Sequence, residues 1–117
     1  MTVYNYHYVY KTVCSLNGYY YIGSRSTNTA PEIDDYLGSG DMLKMAIWKI
    51  GKENFTKEVL KTFDTRIEAD AYESQLVTND VIKDYKSYNV AIGGAKFRSK
   101  RINKSTGEKY IPTRRIL

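Results

Sequence analysis

The sequence predicts an α+β fold: a small antiparallel three-stranded sheet flanked by helices. Three observations carry this. Residues 3–15 alternate, with Tyr4, Tyr6, Tyr8 and Tyr10 on one parity and Val3, Val9 and Val13 on the other, which is the period of a strand. Two later stretches repeat apolar residues at helical spacing. A third strand-like run, 55–63, lies between them.

The elements follow in order. Leu16-Asn17-Gly18-Tyr19 separates the first run from a second strand over 19–25. Asn-Gly between alternating runs predicts a two-residue type I′ hairpin turn. Pairing Leu16 with Tyr19 sets Tyr10 opposite Arg25, Thr12 opposite Gly23 and Cys14 opposite Tyr21. These six share one side of the ribbon. Val9, Val13, Tyr20 and Ile22 take the other side, which is mostly apolar and is expected to meet the helices. Residues 26–38 form a long polar loop, of a length more common for functional loops than for plain connections. Asp34-Asp35 within it reads as solvated charge.

Ser39 is the predicted cap of a helix over 40–50. Leu43, Ala46, Ile47 and Ile50 lie at i, i+3, i+4 and i+7, an apolar face, and Gly51 is the stop. Residues 55–63 are the third strand. Thr65-Arg66-Ile67-Glu68 has the T-x-x-E form of a capping box and opens a helix over 66–77, with Ala69, Tyr72, Leu76 and Val77 as its stripe. A helical turn is expected near Val81 and Ile82. Tyr88 to Ile92 is short and extended, ended by Gly93-Gly94.

The 117 residues suggest one domain, 1–94, followed by a basic tail, 95–117. Residues 1–95 carry ten basic and twelve acidic side chains, whereas 96–117 carry eight basic and one acidic. All the surplus positive charge therefore lies in the tail. Lys96, Arg98, Lys100, Arg101, Arg114 and Arg115 are the expected phosphate contacts of a DNA-binding arm, the alternative being a solvated tail. No run of 18 apolar residues exists, so no membrane partner is expected. The N-terminus lacks the pattern of a secretory signal. The lone Cys14 fits a reducing compartment, and a cytoplasmic protein is expected. One Cys and one His make no zinc constellation, and no phosphate-loop glycine pattern occurs.

The hairpin side with Tyr10, Tyr21, Gly23 and Arg25 offers the parts a phosphodiester reaction needs. Two phenols can orient or deprotonate a water, and a guanidinium can bind a phosphate oxygen. The side lacks a hard-oxygen metal ligand, for which Glu73 on the second helix is the candidate. The competing reading makes the tyrosines packing and Glu73 a surface residue.

Tyr8-Val9-Tyr10, with Tyr21-Ile22-Gly23 eleven residues on, resembles the signature of the GIY-YIG nuclease family. Further along, Tyr36-Leu37-Gly38-Ser39-Gly40, Lys49 to Phe55, Glu68-Ala69 with Glu73, and Tyr88-Asn89 with Gly93-Gly94 resemble its phage-encoded free-standing homing endonucleases. The likeness covers roughly residues 6–94. It implies a GIY-YIG-like fold and a DNA endonuclease using Mg²⁺ or Mn²⁺ and leaving 5′-phosphate and 3′-hydroxyl ends. In it Tyr10 and Tyr21 contact or activate the attacking water, Glu73 binds the metal and Asn89 supports the site. Two positions depart from the pattern. Tyr8 stands where the signature has its first glycine, and Arg25 lies nearer Gly23 than the arginine of many members. Arg25 is chosen for that role, with His7 and Lys44 in reserve, Lys44 also as a DNA contact. Site specificity is expected to be low or to come from a partner protein or a dimer. An inactive nucleic-acid-binding module of the same fold, or a protein-interaction domain, are the other classes.

Overall fold

A computed structural model of the chain describes residues 3–90. The basic arm with Lys96, Arg98, Lys100, Arg101, Arg114 and Arg115, the Gly93-Gly94 stop and the boundary at 94 lie outside those residues.

The predicted class holds. Three antiparallel strands, β1 (Tyr6–Cys14), β2 (Tyr20–Thr27) and β3 (Phe55–Phe63), pair in the order β2-β1-β3. The helices are α1 (Asp41–Ile50), α2 (Arg66–Leu76) and the short α3 (Asn79–Lys83). Thr65 caps α2 through the expected reciprocal capping box with Glu68. The start of α1 differs from expectation. Its cap is Gly40, with no side-chain hydrogen bond, so Ser39 is free to serve Tyr21 instead.

The hairpin turn also differs. It is a four-residue loop, Ser15 to Gly18, closed by Cys14 N–H to Tyr19 O and Gly18 N–H to Cys14 O, both 2.8 Å. Only Gly18 takes positive φ (77°). Asn17 spends its side chain accepting the Tyr19 N–H at 2.9 Å, a local bond that competes with the left-handed conformation a type I′ turn requires. The longer loop moves the register by two residues: Tyr8 opposes Arg25, Tyr10 opposes Gly23 and Thr12 opposes Tyr21. A two-residue shift preserves sidedness, so Tyr10, Tyr21, Gly23 and Arg25 still share one face.

A bulge in the β1–β3 ladder, between Val9 and Tyr10, leaves Leu60 as an extra residue on β3. It has a packing consequence. Phe55 and Phe63 have the same parity, yet Phe55 packs with Cys14, Leu43, Ala46 and Tyr88, whereas Phe63 joins Val9, Ile22, Ala69 and Val77. The extra residue turns the end of the strand over.

The sheet is covered on both faces, not on its apolar face alone. Val9 and Ile22 meet α2 and the α3 region. On the tyrosine face, α1 packs at the Cys14 end, and the 28–40 loop is tied down by Thr12 Oγ1 donating to Leu37 O at 2.6 Å. Tyr8 and Tyr10 are buried there, because rings of that area gain more from packing than from water. The outer edge of β2 is closed by residues 86–89. Tyr20 N–H bonds Lys86 O at 2.9 Å, and Tyr88 N–H bonds Tyr20 O at 2.7 Å.

Candidate active site on the tyrosine face

The site is built on the middle of the hairpin. Gly23 lies between two rings. A Cβ there would stand 2.6 Å from the Tyr10 hydroxyl oxygen and 2.9 Å from the Tyr21 ring, so glycine is what allows both phenols to cross that point of β2. Gly40 serves the same end from α1, since a Cβ on it would lie 2.7 Å from Tyr21. The Tyr10 ring meets Tyr8, Tyr21 and Tyr36 at centroid distances of 5.8, 6.3 and 6.2 Å.

Burial raises the Tyr10 pKa well above the usual phenol range, and the neighbouring phenols and the Glu73 carboxylate push the same way. Tyr21 is pushed up to about 12, first by burial and then by Glu73, against a hydrogen bond with Ser39 that lowers it. Both phenols are therefore protonated at neutral pH. Their response to Glu73 places the carboxylate of α2 within electrostatic reach of both.

Arg25 sits one pair further along the same face. Its Nε donates to Asp34 Oδ2 at 2.6 Å, and its guanidinium stacks on Tyr36 at 3.9 Å. Asp34 is buried, its side chain 4% exposed, which corrects its reading as solvated charge; Asp35 is exposed as expected. The Tyr8 hydroxyl donates to Asp34 Oδ2 at 2.5 Å. From β3, Lys57 Nζ donates to the Tyr8 hydroxyl and to Asp34 O, both at 2.7 Å. Burial would raise the Asp34 carboxyl, but hydrogen bonds from Arg25 and Tyr8 and the charge of Lys57 hold it below the usual range.

Asn89 supports the site through the backbone. Its side chain accepts from Ile22 N–H at 2.9 Å and donates to Ile22 O at 2.8 Å, pinning the residue between Tyr21 and Gly23.

The chain is similar over this region to phage proteins named as endonucleases. It is 44% identical over 89 residues to "Putative endonuclease segE" of Enterobacteria phage T4, covering 76% of this chain and 42% of that protein. It is 38% identical over 89 residues to "Putative endonuclease segB", covering 76% and 39%. It is 38% identical over 106 residues to "Endonuclease segA", covering 89% and 47%; both are from the same phage. The chain spans less than half the length of these relatives. No protein-family model matches it, and no solved structure matches it.

Of the residues singled out in the sequence, Tyr10, Tyr21 and Arg25 share one face of the hairpin, Asn89 lies behind Ile22, and Glu73 on α2 acts on Tyr10 and Tyr21 through its charge. His7 is not part of the group. It faces the other side of the sheet, paired with Ser26 Oγ at 2.7 Å, because odd and even positions of β1 point to opposite faces. Lys44 is exposed on α1. Sequence reasoning missed Tyr8, Asp34, Tyr36 and Lys57. Tyr8 shares the parity of Tyr10, and that signal was present. Nothing local marks Asp34, whose partners lie 9 and 26 residues away. No described helix is long and apolar enough to cross a membrane.

Proposed function

We propose that the chain is the nuclease region of a GIY-YIG-type, metal-dependent DNA endonuclease of the phage homing kind, hydrolysing phosphodiester bonds to 5′-phosphate and 3′-hydroxyl ends. The observation that carries this reading is the meeting of Tyr10 and Tyr21 over Gly23, with Arg25 on the same face and the Glu73 charge acting on both phenols. Similarity to phage proteins named as endonucleases supports it.

In this mechanism the chain supplies positions and charge. Tyr10 and Tyr21, protonated and held against each other, orient the attacking water through hydrogen bonds. Arg25 binds a non-bridging phosphate oxygen and offsets charge gathering at phosphorus. Asn89 keeps the strand between the two tyrosines in place. Glu73 is the residue to hold a divalent ion. Among the described residues no three His, Cys, Asp or Glu gather as a closed metal cage. One carboxylate suits Mg²⁺ or Mn²⁺, which are hard ions; Mg²⁺ commonly keeps several waters and takes one or two carboxylates plus phosphate oxygens. Such an ion would supply positive charge to the phosphate and to the departing oxygen.

The test is a plasmid-nicking assay with Mg²⁺, with Mn²⁺ and with chelator. Glu73→Gln keeps the size of the side chain and removes its charge. We expect cleavage to be lost while DNA binding in chelator changes little. A variant that cuts near the wild-type rate rejects Glu73 as the ligand. A wild-type chain that binds plasmid but nicks it with neither ion is the inactive DNA-binding module instead.

A further inference from the structure

We propose that Asp34 is a positioning residue for Arg25, fixing the guanidinium by its Nε edge so that its remaining N–H groups meet the scissile phosphate; this rests on the nuclease reading above. Arg25 lies on an edge strand with its side chain 27% exposed. Alone, such a side chain samples many rotamers, and ordering it against the scissile phosphate in the transition state costs free energy. Here two contacts, one to a carboxylate and one to a ring, remove that freedom in advance. Asp34 holds the group in its plane, at 2.6 Å from Nε and 3.4 Å from Nη2. The Tyr36 ring holds it from below, 3.9 Å from the centroid.

A guanidinium has five N–H donors, and Asp34 engages the Nε edge, which leaves further N–H groups on Arg25 for a phosphate oxygen. Asp34 is itself fixed. It accepts from the Tyr8 hydroxyl at 2.5 Å and the Tyr36 N–H at 3.4 Å, and Lys57 Nζ lies 4.0 Å from Oδ2. Two cations, Arg25 and Lys57, share this one buried carboxylate, so Asp34 orients the Arg25 guanidinium while dividing its own charge between two partners, and Arg25 keeps positive charge to offer an anionic substrate.

The experiment is a double-mutant cycle on the full chain, read by single-turnover plasmid cleavage at saturating Mg²⁺. Asp34→Asn keeps the shape and removes the charge. We expect it to slow cleavage about 10–100-fold, the size of a lost charge-assisted hydrogen bond, with DNA affinity in chelator little changed. In the Arg25→Ala background the same change should cost no more than about threefold, since groups acting through one another are not additive. Tyr8→Phe, which loosens Asp34 without removing its charge, should give a smaller loss with the same dependence on Arg25, and it serves if Asp34→Asn fails to fold.

An Asp34→Asn protein cutting at the wild-type rate overturns the proposal. So does a loss that multiplies in full on Arg25→Ala, because Asp34 would then act on the fold at large. If the wild-type chain does not cut, it is the nuclease reading that fails. The clamp itself is then read by NMR, as slow exchange of the Arg25 Nε–H in wild type and fast exchange in Asp34→Asn. Exchange as fast as in free arginine in the wild type removes the clamp whether or not DNA is cut.

Discussion

The two faces of the sheet are both covered and chemically unlike. On one, Val9 and Ile22 from the hairpin pack against Ala69, Val77 and partly buried Leu60 and Leu76. Its polar groups keep to the margin, as in Ser24 with Asp70 at 2.8 Å. On the other, Tyr8, Tyr10, Asp34 and Lys57 are packed where charge is expensive. There the charged groups and Tyr8 are tied to one another: Tyr8 to Asp34, Arg25 to Asp34, Lys57 to Tyr8. The first face gains by burying carbon. The second spends stability on desolvation and regains part of it through charge-assisted bonds. That asymmetry teaches which face to examine for chemistry, since strained or costly burial gathers at functional sites.

The comparison is sharpest when each face is damaged without touching the other. Tyr10→Phe removes one oxygen and leaves the ring packed against Tyr8, Tyr21 and Tyr36. If the face is catalytic, cleavage should fall by about 10²–10⁴-fold, the usual contribution of a proton-transfer or water-orienting group, while the unfolding midpoint in denaturant hardly moves. Unchanged cleavage would reduce the tyrosine face to packing. Asn89→Ala strips Ile22 N–H and C=O of their partner, at about 1–3 kcal/mol for each group left unsatisfied. Denaturant titration should record that loss, and cleavage should fall with it, because Tyr21 and Gly23 flank Ile22. Val77→Ala on the apolar face should cost about 2 kcal/mol of stability, from the two methyl groups and the cavity they leave. Its cleavage rate on folded protein should stay within about twofold of wild type, because the change removes no group proposed to meet water, phosphate or metal and keeps the Val77 backbone bond to Glu73. A large rate defect in Val77→Ala would mean that the two faces are not separable.

How far each face could be read from the sequence differs in the same way. The apolar face and its helix were legible, because period two in β1, the Thr65–Glu68 box and the stripe of Ala69, Leu76 and Val77 are local signals. The order of elements and the side shared by Tyr10, Tyr21, Gly23 and Arg25 were legible too. The turn was not: Asn17 can satisfy a backbone N–H or adopt positive φ, and the dipeptide does not say which. The consequence was a register error of two, harmless to sidedness but enough to place Arg25 opposite Tyr10 where Tyr8 stands. The Asp34 cluster was the least legible part. A carboxylate in a polar loop looks solvated until the loop is folded over Thr12, and Lys57 looks like an ordinary exposed strand lysine until the loop covers it.

The smallest effect at neutral pH is the one most specific to the tyrosine face, and it appears only in alkali. Tyr8 and Tyr10 are raised well above the usual phenol range, each first by burial. Tyr21 and Tyr88 are pushed up to about 12, again first by burial. A phenol in the unfolded chain ionises near pH ~10. With the folded pKa above the unfolded one, the unfolded state loses protons first as pH rises, so stability is fully present below about pH 10 and falls above it. For Tyr21 and Tyr88 the window runs from there to about 12, and Tyr8 and Tyr10 continue the fall beyond it. Lys57 works the other way, its pKa being lowered chiefly by burial, so the folded state gives up that proton ahead of the unfolded chain and stability gains as pH rises through it. We therefore expect denaturant stability to hold or rise slightly toward pH 10 and then to drop steeply. Tyr10→Phe should make that drop shallower, while Val77→Ala should lower the whole curve and leave its slope unchanged. A wild-type curve that stays flat from pH 9 to 12 would mean that the phenols are open to water in solution, and the contrast between the two faces would go with it.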